Sequence, residues 1–210
     1  MNKVNATMTA AIVSSLFATG FANADFQGIS CDAVEGGFGV GTTYRVYVDV
    51  ETGDQLNAVF GDTVDPLLVS STTGFYQNQF GSHKAPSAAL FGFFPSLEYD
   101  SFVTIGLLTD AGNSMLDIGI DWGVFEGGDE IATSNGTWFA TPADSQVFEV
   151  GGRVLIGQFT TTGEISGFIN IQGKNADLTN WQYRSVPLVP APGAIALLGL
   201  AGLVARRRRK

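Results

Sequence analysis

The sequence predicts an all-β protein, an antiparallel β-sandwich of the jelly-roll or Ig-like kind. Three observations carry that expectation. Short runs alternate apolar and polar residues, the period of a half-buried strand. Turn residues punctuate these runs throughout, with 27 Gly and 7 Pro in 210 residues. Between the two ends of the chain, no run keeps a helical period over three turns.

The first element is the clearest. In Thr42 to Val50, Tyr44, Val46, Val48 and Val50 alternate with Arg45, Tyr47 and Asp49. Residues 51–54 (ETGD) form a turn, and Gln55 to Phe60 is the next strand. Leu67 to Ser71 is a third and Phe75 to Phe80 a short aromatic fourth. Tyr99 to Leu108 is rich in β-formers and reads as a strand. Met115 to Ile120 alternates, and Trp122 to Phe125 reads as its continuation. Thr137 to Thr141 ends at Pro142, and Gln146 to Val150 follows. A single helical turn fits 144–146. Arg153 to Thr161 and Gly167 to Gln172 read as a hairpin across 162–164 (TGE), and Trp181 to Ser185 closes the body. Residues 25–41, rich in Gly, read as a leader into the fold.

The ends differ from the body. Residues 1–24 carry Lys3, an apolar run from Met8 to Phe21, and Ala22 and Ala24 flanking Asn23 as a small-x-small cleavage site. That is the pattern of a secretory signal peptide removed by signal peptidase. The body, 25–185, has the size of one domain. It holds all 20 acidic residues against Arg45, Lys84, Arg153, Lys174 and Arg184, a net charge of 5 − 20 = −15. Such a surface repels nucleic acid and anionic lipid, which excludes those partners. Cys31 is the sole cysteine, so no internal disulfide forms.

Residues 186–210 form the tail. Pro187, Pro190 and Pro192 make an extended spacer, followed by an uncharged Leu/Ala/Gly run to Ala205 and then Arg206, Arg207, Arg208, Arg209 and Lys210. The run from Gly193 to Ala205 would rise about 20 Å as a helix, short for a bilayer crossing of about 30 Å. The basic cluster acts as a stop-transfer signal on the cytoplasmic side. Val189, Pro190, Ala191 and Pro192, the LLGLAGL helix and the terminal arginines together resemble the PEP-CTERM sorting signal, with Ala191 in place of the motif's Glu. The resemblance implies export, transient anchoring in the inner membrane by a short transmembrane helix, and recognition by an exosortase that cuts near the proline motif. It further implies delivery to the cell surface or to an exopolysaccharide matrix. The body resembles secreted proteins of planctomycete-type bacteria through TYRVYVDV, LFGFFPSLEYDSFVTIGL and VLIGQFTT.

Few residues in the body offer chemistry. His83 is the only histidine, and no Gly-x-Ser-x-Gly elbow accompanies it. One His and one Cys exclude an ordinary zinc cluster. A glycosidase needs two carboxylates about 5–10 Å apart, for which Glu98 with Asp100 and Asp117 with Asp121 are candidates. Glu126, Asp129 and Glu130 lie in an acidic Gly turn that offers hard oxygen ligands to a structural Ca²⁺, the one cofactor the sequence suggests. Phe91, Phe93, Phe94, Tyr99, Trp122, Trp138, Phe139 and Trp181 would stack on sugar rings where exposed. The expectation is a non-catalytic exported protein associated with exopolysaccharide. The alternative is a polysaccharide hydrolase or a carbohydrate-binding module using paired carboxylates and aromatics.

Overall fold

The computed structural model describes residues 26–188. The cleavage site at Ala22 and Ala24, the motif at Val189 to Pro192 and the cluster Arg206 to Arg209 lie outside the described residues.

The body is built from antiparallel strands in two sheets and contains almost no helix. The smaller sheet has the order β1 (Phe26–Glu35), β2 (Thr42–Val50), β9 (Arg153–Thr161), β5 (Phe102–Val103). The larger contains β3 (Gln55–Gly61), β4 (Leu67–Ser71), β6 (Leu116–Ile118), β7 (Ile131–Thr133), β8 (Gly136–Phe139), β10 (Ile165–Lys174) and β11 (Asn180–Pro187). One helix, α1 (Trp122–Glu126), has Asp121 as its N-cap, with a carboxylate oxygen accepting from Gly123 N.

The larger sheet is simpler than its strand count suggests. β3 and β4 run in the same direction along one edge of β10, β3 against 170–174 and β4 against 165–168. They act as one long strand broken by the excursion 62–66. β8 and β7 lie against them in the same interrupted way. The sheet is therefore five rows wide, from β6 through β8/β7, β3/β4 and β10 to β11.

Alternation puts one face of each sheet into a shared core. Val46, Val48 and Val50 of β2 and Val154 and Ile156 of β9 meet Val59, Trp138, Ile169 and Ile171 of the larger sheet. The Trp138 indole Nε1 donates to the Ile156 carbonyl at 3.2 Å, a hydrogen bond from one sheet to the other inside the core. At the end of β9, Thr161 Oγ1 donates to the Gly74 carbonyl at 2.7 Å and lies 2.6 Å from Ser71 Oγ of β4.

Several sequence expectations change here. Residues 153–161 and 165–174 are not a hairpin: β9 pairs β2 and β5, whereas β10 pairs β3, β4 and β11. The turn at 162–164 is a corner between the sheets. The glycine-rich leader is the edge strand β1, paired with the whole of β2. Residues 75–80 form no strand, and only Phe102–Val103 of the run 99–108 does, because that segment crosses from one sheet to the other. Residues 122–126 are helical rather than extended. The single turn near 144–146 is a 3-10 turn at Ser145–Val147, and the strand expected at 146–150 is absent. At the C-terminal end the body continues past Ser185: Pro187 pairs Phe168, and Val186 and Leu188 are buried in the core. Residues 186–188, expected as the start of an extended spacer, therefore belong to the body.

Candidate functional site

Two arrangements stand out, a charged knot around His83 and a groove on the open face of the larger sheet.

The knot joins three segments distant in sequence. Glu126, at the end of α1, accepts at Oε1 from His83 backbone N at 2.9 Å and lies 2.8 Å from His83 Nδ1. An ionised carboxylate only accepts, so Nδ1 carries a proton here. Asp117 of β6 accepts at Oδ1 from Trp122 Nε1 at 2.8 Å and pairs at Oδ2 with Lys84 Nζ at 3.0 Å. His83 Nε2 lies 3.5 Å from the same Oδ2, too far for a good hydrogen bond but close enough for an ion pair. The imidazole lies flat on the Trp122 ring, with centroids 4.4 Å apart and planes 6° from parallel.

Burial raises the pKa of both carboxylates, but their partners outweigh it. The His83 N–H groups hold Glu126 below its ordinary value, and the Trp122 indole and Lys84 do the same for Asp117. Asp100 behaves in the opposite way. Burial pushes its pKa up to about 7 against the backbone N–H groups of Asn78, Ser101 and Ser82, and the charge of Glu126 adds to the rise. Its Oδ1 accepts from Asn78 N at 2.6 Å, and its Oδ2 is buried without a hydrogen bond. Gly81 packs directly on this carboxyl, and a Cβ there would overlap Asp100 Oδ2.

The sequence-predicted residues are therefore redistributed. Glu98 is exposed while Asp100 is fully buried, and Asp121 caps α1 while Asp117 faces His83. Each expected carboxylate pair is thus split between two different environments. Glu126 turns to His83, while Asp129 and Glu130 line a separate depression with Thr72, Thr73 and Gly128. No group of three or more His, Cys, Asp or Glu side chains converges on a metal-sized site among the described residues. Of the aromatics, Trp138 is core, Trp122 backs His83, and Phe93 is exposed. Nothing beside His83 in the sequence marks this knot, because its partners lie 34 to 43 positions away and have no local signature.

The groove lies on the face of the larger sheet that points away from the core. Alternation sends Val59, Trp138 and Ile171 inward and Ala58, Thr137, Phe139, Gln172 and Gln182 outward. Ala58 pairs with both Phe139 and Gln172, and Gln172 pairs with Gln182, so one row crosses four strands. At about 4.8 Å per strand that row is about 14 Å long. The depression holds about 670 Å³ and takes in Asn57, Lys174, Asn180 and Trp181 at one end. A Cβ on Gly173 would overlap the Trp181 ring and the Gln55 carbonyl, so the absent side chain lets the indole lie across the strand. A second depression of about 270 Å³, lined by Phe60, Ile118 and Asn135, adjoins the first at Thr137.

No known protein family, characterised protein or solved structure matches this chain. Its function is therefore read from its own residues.

Proposed function

We propose that the chain is an exported, non-catalytic protein of the cell surface or extracellular matrix, sorted by an exosortase and associated with exopolysaccharide. The observation that carries this reading is the order of features in the tail. A proline motif at Val189 to Pro192, an uncharged run too short for an easy crossing, and Arg206 to Arg209 follow one another within 25 residues. The signal-peptide pattern ending at Ala24 is consistent with it. Signal peptidase and exosortase are the processing partners, and the inner membrane is a temporary one.

The body fits that role. Its net charge of −15 favours solubility outside the cell and keeps it off nucleic acid and anionic lipid. We read its two layers as a β-sandwich of jelly-roll type, because the chain changes sheet at β2–β3, β4–β5, β5–β6, β8–β9 and β9–β10. The two carboxylates around His83 are taken up by Lys84, Trp122 and the imidazole itself. That commitment supports a structural role for them.

The mass of the mature protein from its native host tests the reading. The expected species begins at Asp25 and ends near the proline motif, without the arginine cluster. A mature chain retaining Lys210, or one found in the cytosol, would overturn it.

A further inference from the structure

The open face of the larger sheet is unusual for this chain in what it lacks. The body carries 20 acidic residues against five basic ones, yet none of the 13 residues lining the groove is acidic. The adjoining depression at Phe60, Ile118 and Asn135 has no charged lining residue either. Asp129 and Glu130 border the separate depression beside β4, Asp117 of β6 points away toward His83, Asp62 and Asp65 pair with Arg184, and Asp144 is tied to Thr141 by two hydrogen bonds. In place of carboxylates the groove presents four carboxamides, Asn57, Gln172, Asn180 and Gln182.

Gln182 is engaged at its amide oxygen, which accepts from Arg184 Nη2 at 3.2 Å and Nε at 3.3 Å and leaves its NH₂ for a ligand; the other amides are largely free. Among the described residues, the side chains of Gln172, Asn180 and Lys174 make no hydrogen bond or ion pair within the protein. Asn57 has only a long contact of 3.4 Å to Gln55. A carboxamide donates and accepts at once, which matches a hydroxyl group that does the same. Phe139 supplies apolar surface beside them, of the kind on which the C–H face of a sugar ring packs. The Trp181 indole N–H is buried and has no acceptor in the protein. The trough is open and crosses four strands, so it suits a chain laid along it rather than a small molecule enclosed in it.

From these features we propose that the outer face of β8, β3, β10 and β11 is a binding groove for a neutral, linear polysaccharide. The row Gln182, Gln172 and Ala58 forms its floor, Phe139 its apolar contact, and Asn57 and Asn180 further hydrogen-bonding groups. The overall charge of the body disfavours an anionic polymer at long range, and the single Lys174 does not reverse it. The inference deepens the matrix-associated reading by naming the surface and the ligand class, and it is tested separately from export.

The test is retention of the full chain, purified in mild detergent, on cellulose, β-1,3-glucan and mannan, with polygalacturonate and alginate as anionic controls. Retention on at least one neutral glycan, unchanged by added salt, is expected. Ala58→Trp, which fills the trough, and the double change Gln172→Ala with Phe139→Ala should each weaken it about tenfold or more. The melting temperature checks folding; because Ala58 is itself largely buried, the double variant at the surface decides the matter if Ala58→Trp is destabilised. Failure of the wild-type chain to bind any neutral glycan overturns the proposal. So does binding that survives both substitutions, or retention on anionic polymers alone that salt abolishes. A tail found processed in the host while the groove binds nothing would leave the export reading standing and remove only the groove.

Discussion

The side chain of Asn170 closes the gap that the excursion to Asp65 opens in the central ladder of the larger sheet. Its Nδ2 donates to the Asp65 carbonyl at 2.6 Å and to the Phe60 carbonyl at 3.0 Å, the one inside the excursion between β3 and β4 and the other at the end of β3. Its Oδ1 accepts from Ser185 N at 2.9 Å, where β11 bulges and Ser185 takes a left-handed φ of 49°. Asn170 is almost completely buried, so the amide replaces ladder hydrogen bonds that the interrupted strands cannot make.

Asn170→Asp should therefore be among the most damaging single changes in the body. It keeps the size but removes both donors and sets a carboxylate against two carbonyls in a buried site. A loss of about 3–5 kcal/mol is expected, against about 2–3 kcal/mol for Asn170→Ala. Urea unfolding of the three proteins measures this. Equal stability of wild type and Asn170→Asp would show that the amide does not bridge the break.

Asp100 gives a pH dependence of a definite sign. Its folded-state pKa of about 7 lies above the ordinary 3.8, so the native state holds the proton more tightly than the unfolded state does. The contribution of this group is fully present below pH 3.8 and is lost as the pH rises toward and through about 7. At about 1.4 kcal/mol per pH unit across that interval, the change is on the order of 4 kcal/mol. Asp100→Asn keeps an acceptor for Asn78 N and cannot ionise. It should flatten the fall in stability between pH 5 and pH 8. Parallel melting curves for both proteins at the two pH values check it, and an undiminished fall in the variant would place the titrating group elsewhere.

How much of this could be read from the chain depends on how local each signal is. Thr42–Val50 and Arg153–Thr161 match the expected strands, because one face packs in the core and the alternation records it. β1 was hidden by five glycines between residues 28 and 41, although the ladder runs unbroken from Gly28 to Glu35. The turn at 162–164 has the length and composition of a hairpin. Only the packing of Thr161 against Ser71 and Gly74 shows that the chain changes sheet there. The groove had no local signature at all. Its floor is assembled from Ala58, Gln172 and Gln182 and its wall from Phe139, and the missing acids become visible only when those strands are side by side.

Cys31 is half-buried in β1, and its thiol pKa is raised to about 11, first by burial and then by the charge of Asp32. The thiolate is the reactive form, and at pH 8 only about one thiol in a thousand would be ionised. Reaction with a maleimide or an aromatic disulfide should be much slower in the native protein than in urea. The protein should also run as a monomer of one mass on non-reducing gels. Rapid native labelling would mean that β1 separates from β2 readily, since it is an edge strand held on one side only.

The His83 knot should act as a clamp whose strength falls with acid. His83→Ala removes the ring stacked on Trp122 and leaves Glu126 without its side-chain donor, which should cost about 1–2 kcal/mol near neutrality. His83→Phe keeps a stacking ring but no Nδ1–H, so it should fall between the two. Glu126 and Asp117 both have folded-state pKa values below the ordinary ones. Their contribution is therefore present above the unfolded pKa, 4.5 for Glu126, and is lost as the pH falls. The difference in melting temperature between wild type and His83→Ala should hold from pH 7 to pH 5 and shrink as the pH falls from 5 to 3. Trp122 emission should shift to the red in His83→Ala at neutral pH, because the imidazole no longer covers one face of the indole. A difference that stays constant down to pH 3 would mean that the ring contributes through stacking alone, and that the carboxylates add nothing to the clamp.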